Sequence, residues 1–280
     1  MKQDKKRIII EAIGGALVLF IAICIAIWAI QPSLFFYPWH DSAKFSALMN
    51  DDNFTNITVE SGEYTLNGWY KASDADNAPL LIFFGGNAMN SSNMCYKFSV
   101  NNTYAYFGDY AFLTVDYPGY GLSKGKPSDE NMLQAALDIY DYALTLDNIN
   151  TNKIVIMGFS IGTSPATYLA SQRDVNGLIL LAPFDNALSL YNSRLDIFHG
   201  PMKLLARYEF DSIKYAQDVK TKPLVIASKA DESIPYGLSG RLQQSFAQKE
   251  DMVILDNLQH NDIIMNGKAL KAIQEYLEIR

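Results

Sequence analysis

Apolar and polar positions follow three successive patterns along this chain. From Ile8 to Ile30 the run is almost unbroken, with Glu11 as its one charge. As a helix rising ~1.5 Å per residue it spans about 34 Å, enough to cross a bilayer. From residue 54 to 71 the pattern becomes alternation. "FTNITVE" and "YTLNGWYK", joined by Ser61-Gly62-Glu63, predict an antiparallel hairpin. After the polar linker "KASDADNAP" alternation gives way to short continuous runs: "PLLIFFGG" (79–86), "YAFLTVDY" (110–117), "KIVIMGFS" (153–160), "VNGLILLAP" (175–183), "KPLVIAS" (222–228) and "DMVILDN" (251–257). Such runs suit strands buried on both faces of a parallel sheet. The segments between them carry helical spacing. In "SDENMLQAALDIYDYALTL", Ser128 and Asn131 bracket a capped start, and Met132, Leu133, Ala136, Leu137 and Tyr140 share a face. The rhythm predicts an open α/β sheet with right-handed crossovers, whose ligands bind at the carboxyl ends of the strands.

Charge refines the first run. Lys2, Lys5, Lys6 and Arg7 precede it with Asp4 against them, and the other 273 residues hold 19 Lys/Arg against 29 Asp/Glu. The positive-inside rule then puts the N-terminus in the cytoplasm and everything after residue 31 on the other side, the periplasm in a Gram-negative cell. A cleaved signal peptide and a buried core helix are the rival readings. The first wants a shorter apolar region and a small-x-small exit, and "IWAIQP" is a poor one. Just past the helix, Phe35, Phe36, Tyr37 and Trp39 suit either a membrane interface or packing beneath the body. The acidic body has no basic stripe, which argues against nucleic acid. Cys24 and Cys95 offer neither a disulfide nor a metal cluster.

The candidate chemistry begins at Gly158-Phe159-Ser160-Ile161-Gly162, between a strand run and the helix-compatible "IGTSPATYLASQ". A strand, sharp turn and helix with small flanking residues exposes one serine hydroxyl above the sheet, at the positive end of a helix. Ser160 is therefore the candidate nucleophile. Of three histidines, His40 lies in the aromatic segment and His199 in a long excursion between strands. His260 follows the last strand in "NLQHND" and is the candidate base. Asp231, just past "KPLVIAS", is the preferred orienting acid, with Asp185, Asp256 and the neighbouring Glu232 as competitors; the order Ser, Asp, His fits this architecture. Oxyanion donors are expected from the backbone N–H of Ile161 and of Asn87, with Ala88 as an alternative to Asn87.

These segments in order, "FFGGNA", "DYPGYGLSKGKPS", "GFSIGTSPA", "APFDN", "KADESIP" and "QHND", resemble the α/β-hydrolase superfamily. With the apolar helix leading into "QPSLFFYP", the chain looks most like its membrane-anchored serine-hydrolase branch, the relatives of the α/β-hydrolase domain-containing lipid and thioester hydrolases. The resemblance covers residues 31 to 280. It implies an α/β-hydrolase fold, a mostly parallel sheet with helices on both faces, and a Ser160, Asp231, His260 triad for carboxylic-ester-type hydrolysis. Two positions depart from the family's habit: Gly85-Gly86 where His-Gly is common, and Gln259-His260 where Gly-His is common.

The expected organisation is an anchor over 1–30 and a hydrolase domain over 31–280, with a short helical cap inserted at about 184–219. That segment carries bulky apolar side chains, Phe198 among them, that could line an acyl pocket. Tyr117 and Tyr120 are further candidates for the lining, beside a scaffold role for "DYPGYGLS". The expected substrate is an acyl ester, thioester or lipid-like molecule, with no metal or organic cofactor. A peptidase or amidase, an acyltransferase, and an inactive membrane-tethered scaffold are the alternatives.

Overall fold

A strand buried on both faces needs apolar side chains at every position, and the continuous runs of this chain supply them. The structure, a computed structural model, describes residues 2–40 and 43–280; Met1, Asp41 and Ser42, and the side chains of Lys2 and Asp4 in the basic cluster, lie outside the described residues. Its strands are β1 (Phe54–Ser61), β2 (Tyr64–Lys71), β3 (Ala78–Phe84), β4 (Ala111–Val115), β5 (Ile149–Phe159), β6 (Gly177–Leu181), β7 (Pro223–Ser228) and β8 (Val253–Leu255). They form one eight-stranded sheet in the order β1-β2-β4-β3-β5-β6-β7-β8. The hairpin β1–β2 joins antiparallel to β4, and every later pairing is parallel. The chain therefore has the mostly parallel α/β sheet that its runs predict, in the fold that the resemblance implies.

The helices are α1 (Lys2–Phe35), α2 (Phe45–Met49), α3 (Ser91–Val100), α4 (Asp129–Ala143), α5 (Thr163–Gln172), α6 (Ala187–Arg194), α7 (Ser212–Ala216), α8 (Tyr236–Ser245) and α9 (Gly267–Glu278). Side chains of a strand alternate between its faces, so each central strand feeds two cores. Leu80, Ile82 and Phe84 of β3 pack with Met132, Ala136 and Ile139 of α4 and Ala166 and Leu169 of α5. Leu81 and Phe83 pack on the opposite face with Cys95 and Phe98 of α3 and Leu270 and Ile273 of α9. Helix α4 starts where expected, its first turn capped by Ser128 Oγ, which accepts from the Asn131 N–H at 3.1 Å. The segment 184–219 contains α6, a 3₁₀ turn at Gly200–Leu205 and α7, with no strand among its residues.

Helix α1 is the largest departure from expectation. It continues past Ile30 to Phe35, so the expected boundary between anchor and body falls inside a helix. The stretch Lys5–Phe35 is long and apolar enough to cross a membrane, an 18-residue window of it having a mean hydropathy of 2.8, and its first turns are exposed. Its end is packed on the body. Phe35 and Phe36 join the helix-side core, Phe35 stacking on Phe210 at 5.7 Å, while Tyr37 and Trp39 stay about half exposed. The aromatic segment thus divides between packing and exposure. Gln31 is buried, and both ends of its amide are used: Nε2 donates to Leu205 O at 2.7 Å and Oε1 accepts from Arg207 N at 2.8 Å.

Candidate active site

Ser160 stands at the end of β5, where the chain turns through a 3₁₀ step, Ser160–Gly162, into α5. Its φ is +55°, a left-handed conformation that a non-glycine residue adopts at a cost and only where its surroundings enforce it. The enforcement is close packing. A Cβ on Gly162 would meet the carbonyl oxygens of Phe84 and Gly85, and one on Gly158 would come within 2.5 Å of Gly162 O. Only glycine at both positions lets strand, turn and helix approach this closely. The turn lifts the Ser160 hydroxyl off the carboxyl edge of the sheet.

The loops after β7 and β8 reach the same edge. His260 Nε2 lies 2.8 Å from Ser160 Oγ, and His260 Nδ1 lies 2.8 Å from Asp231 Oδ2. A carboxylate only accepts, so Nδ1 carries the proton and donates to Asp231, which leaves Nε2 bare to accept from the serine. The other Asp231 oxygen, Oδ1, accepts from the backbone N–H groups of Ser233 and Ile234, both at 2.8 Å. Phe159 stacks on the imidazole at 4.9 Å, and Glu232 Oε2 accepts from the His260 N–H at 3.1 Å. Ser160, His260 and Asp231 are all buried. The arrangement can pull a proton from Ser160 and stabilise the cation that results.

The competing acids are occupied elsewhere. Asp185 is held by Arg241 Nε at 2.6 Å and by the Asn186 N–H, and Asp256 is exposed and paired with Lys229. His199 meets Asp196 on the surface, and His40 contacts Gly121 O. Neither approaches Ser160.

A cavity of about 1070 Å³ opens over Ser160 and His260. Ile161, Asn87 and Ala88 line it, so the expected oxyanion positions face the same space as the hydroxyl. Phe198 lines it too, with Leu190, Tyr191 and Leu195 from the segment after β6. Tyr117 and Tyr120, expected in the lining, stand outside it: both are buried behind the loop that follows β3. There Tyr117 Oη donates to Gly85 O and Tyr120 Oη to Asn87 Oδ1. Their burial pushes both phenols up in pKa, so they remain neutral props for that loop. The Asn87 side chain also donates to Phe35 O at 2.7 Å and accepts from Tyr37 N at 2.8 Å, tying the loop to the end of α1. Sequence reasoning missed the wall formed by α1 itself, from Ile27, Ile30, Gln31 and Leu34. The one signal was Gln31, a polar residue at the margin of an apolar helix. Among the described residues no group of three or more His, Cys, Asp and Glu is placed to hold a metal.

Comparison with known proteins agrees with this fold. A family model described as alpha/beta hydrolase fold matches residues 79–208. An uncharacterized protein of Mycobacterium tuberculosis strain H37Rv is 27% identical over 276 residues, covering 96% of this chain and 92% of that one. The human alpha/beta hydrolase domain-containing protein 17C is 28% identical over 201 residues, which is 70% of this chain and 57% of that protein. Among solved structures, the Pyrococcus furiosus esterase Pf2001 superposes with a TM-score of 0.68 at 13% identity, over 87% of this chain and 98% of that one. At that identity the likeness is one of fold.

Proposed function

We propose that this chain, which belongs to the α/β-hydrolase superfamily, is a membrane-anchored serine hydrolase of carboxylic esters or thioesters. The observation that carries the reading is the continuous hydrogen-bonded line from Asp231 through His260 to Ser160, with the hydroxyl held at positive φ on the floor of a large, mostly apolar cavity. Ser160 Oγ attacks an acyl carbonyl as His260 Nε2 takes its proton. Charge on the carbonyl oxygen is held by the backbone N–H groups of Ile161, in the 3₁₀ step that leads into α5, and of Asn87. His260, cationic and oriented by Asp231, then protonates the leaving oxygen or sulfur. Water that has lost a proton to His260 attacks the acyl-serine, releases the acid and restores Ser160. The reaction as written needs neither metal nor organic cofactor.

The part of α1 before Gln31 serves as the anchor, with residues 31–280, the last turn of α1 included, as the hydrolase domain and the segment 184–219 as its cap. The basic cluster before Ile8 supports an orientation with the N-terminus in the cytoplasm and the hydrolase domain on the other side. A tag at the C-terminus is then cleaved by protease only from the non-cytoplasmic face, and cytoplasmic cleavage reverses the topology. The activity is tested on p-nitrophenyl esters from acetate to palmitate, with the full chain in detergent and its Ser160→Ala variant. The expected result is turnover that the variant lacks, with fluorophosphonate attached to the Ser160 peptide. Equal turnover in both proteins, or label elsewhere, overturns the assignment.

A further inference from the structure

The last turns of α1 do two things at once. Ile27, Ile30, Gln31, Leu34 and Phe35 line the cavity over Ser160, yet Ile30 and Leu34 remain more than half exposed. They are therefore the lip of the cavity, open on one side and facing the catalytic residues on the other. At ~100° per residue, Leu19, Ile23, Ile27, Ile30 and Leu34 fall within about 80° of one another, so a single apolar stripe runs from the exposed turns of α1 into the cavity. From Ile27 to Phe35 the helix extends along the cavity for about 12 Å. The lip is rigidly joined to the body: Gln31 bridges to Leu205 and Arg207, the Arg207 guanidinium lies 4.2 Å over the Trp28 ring, and Asn87 holds Phe35 O.

The charges around this cavity oppose those of the chain. The protein is acidic overall, at a formal −7, but among the described lining residues the side chains with a permanent charge are Lys44, Lys97 and Arg194, with no carboxylate. Two are held in position, Lys44 over the Tyr96 ring at 4.3 Å and Arg194 by the Ser233 carbonyl at 3.0 Å. The cavity lies at the upper end of the range for small-molecule sites, larger than a short acyl group needs.

We propose that α1 is both anchor and substrate wall: the stripe passes the acyl chain of a bilayer lipid ester directly to Ser160, and Lys44, Lys97 and Arg194 select a lipid with an anionic head. The inference rests on the serine-hydrolase and anchor readings above and adds the substrate class and its route. A lipid whose chain stays against α1 never crosses water on its way to the nucleophile. Its head meets the three cations at the membrane surface, where Tyr37 and Trp39 lie half exposed.

The test uses the full chain in vesicles with palmitoyl lysophosphatidylglycerol or palmitoyl lysophosphatidylcholine, reading released fatty acid, and p-nitrophenyl butyrate and palmitate in detergent. Ile30→Trp and Leu34→Trp narrow the wall. Excluding about two methylenes lowers the palmitate-to-butyrate ratio of kcat/KM about tenfold. Ile25→Trp, on the opposite side of α1, leaves that ratio unchanged. Wild type prefers the anionic head, and the Lys44→Glu, Lys97→Glu, Arg194→Glu triple variant loses the preference. A wild-type ratio in both wall variants overturns the α1 wall. Equal use of the two heads, or a preference that survives the triple variant, overturns the anionic selection. Binding of a non-hydrolysable ether analogue of lysophosphatidylglycerol to the detergent-solubilised Ser160→Ala chain reads the pocket without turnover. If no ester is hydrolysed but this binding weakens in Leu34→Trp, the hydrolase reading fails and the wall stands; binding indifferent to Leu34→Trp removes the wall itself.

Discussion

Replacing Asp231 by asparagine changes the site by one atom and should disable it through the imidazole's tautomer. Asp231 Oδ1 accepts two backbone N–H groups and Oδ2 accepts His260 Nδ1–H, all at 2.8 Å. Asparagine keeps one acceptor oxygen. If that oxygen stays with Ser233 and Ile234, the new NH2 faces His260 Nδ1, the ring must accept there, and its proton moves to Nε2. A protonated Nε2 cannot take the proton of Ser160, 2.8 Å away. The flipped amide would instead set NH2 against two N–H donors in a buried corner, at about 1–3 kcal/mol for each donor left unpaired. The inactive tautomer therefore wins. In the serine-histidine-aspartate template this exchange lowers kcat by about 10⁴, or about 5 kcal/mol of transition-state stabilisation. Asp231→Ala leaves the ring free to choose its tautomer, so it should be no worse than Asp231→Asn. The assay is kcat/KM on p-nitrophenyl butyrate for wild type and both variants, with thermal denaturation showing that each is folded. Folded Asp231→Asn that keeps more than about a tenth of wild-type activity, while Ser160→Ala keeps none, would refute the tautomer argument and return the acid's role to another carboxylate.

Three further outcomes follow from the packing around the site. Gly162→Ala drives a Cβ into the Phe84 and Gly85 carbonyl oxygens, so it should destabilise the chain by about 1–3 kcal/mol or more, read by denaturant midpoint. Asn87→Ala removes the side-chain bonds to Phe35, Tyr37 and Tyr120 while keeping the backbone N–H; the freed loop should lower kcat about tenfold or more with a smaller change in KM. Burial pushes Asp116 up to about 6 from 3.8, against the bonds it accepts from Ser91. The unfolded chain thus loses this proton near pH 4 and the folded chain near pH 6. Stability from this group falls as pH rises through that window, by about 3 kcal/mol in all, and is flat above it. The difference in unfolding free energy between wild type and Asp116→Asn should trace that step, and a difference constant with pH would contradict it.

Much of the fold was legible because burial on both faces leaves a mark in one dimension. The runs at 79–86, 153–160 and 222–228 became β3, β5 and β7, whose alternate residues feed the two cores. The hairpin was also readable, from its alternation and its turn residues, although β2 feeds both cores, Leu66 one and Trp69 the other. Ser160 was legible because its turn demands glycine at 158 and 162, which is a local requirement. The choice of acid was not decided locally. Asp231, Asp185 and Asp256 each follow a strand, and their neighbourhoods in sequence look alike. What separates them is Arg241, 56 residues from Asp185, and Lys229, 27 residues from Asp256.

Tyr117, Tyr120 and α1 mark the limit of that reading. Whether an aromatic residue faces a cavity or props the loop behind it depends on which way a short loop turns, and hydropathy does not encode that direction. An apolar helix of this length reads as a span, and nothing in its composition says that its final turns close a pocket over a serine some 130 residues away. By itself the sequence determined which segments are strands, which serine is strained and which helix can enter a membrane, because these follow from local sterics and from the periodicity of burial. The tertiary structure showed that the preferred acid, Asp231, and not a competitor meets His260 Nδ1, and it alone decided which aromatics stand behind the loop and that α1 walls the cavity. Those outcomes depend on contacts between segments distant in sequence, and such contacts are fixed only when the sheet sets its edges side by side.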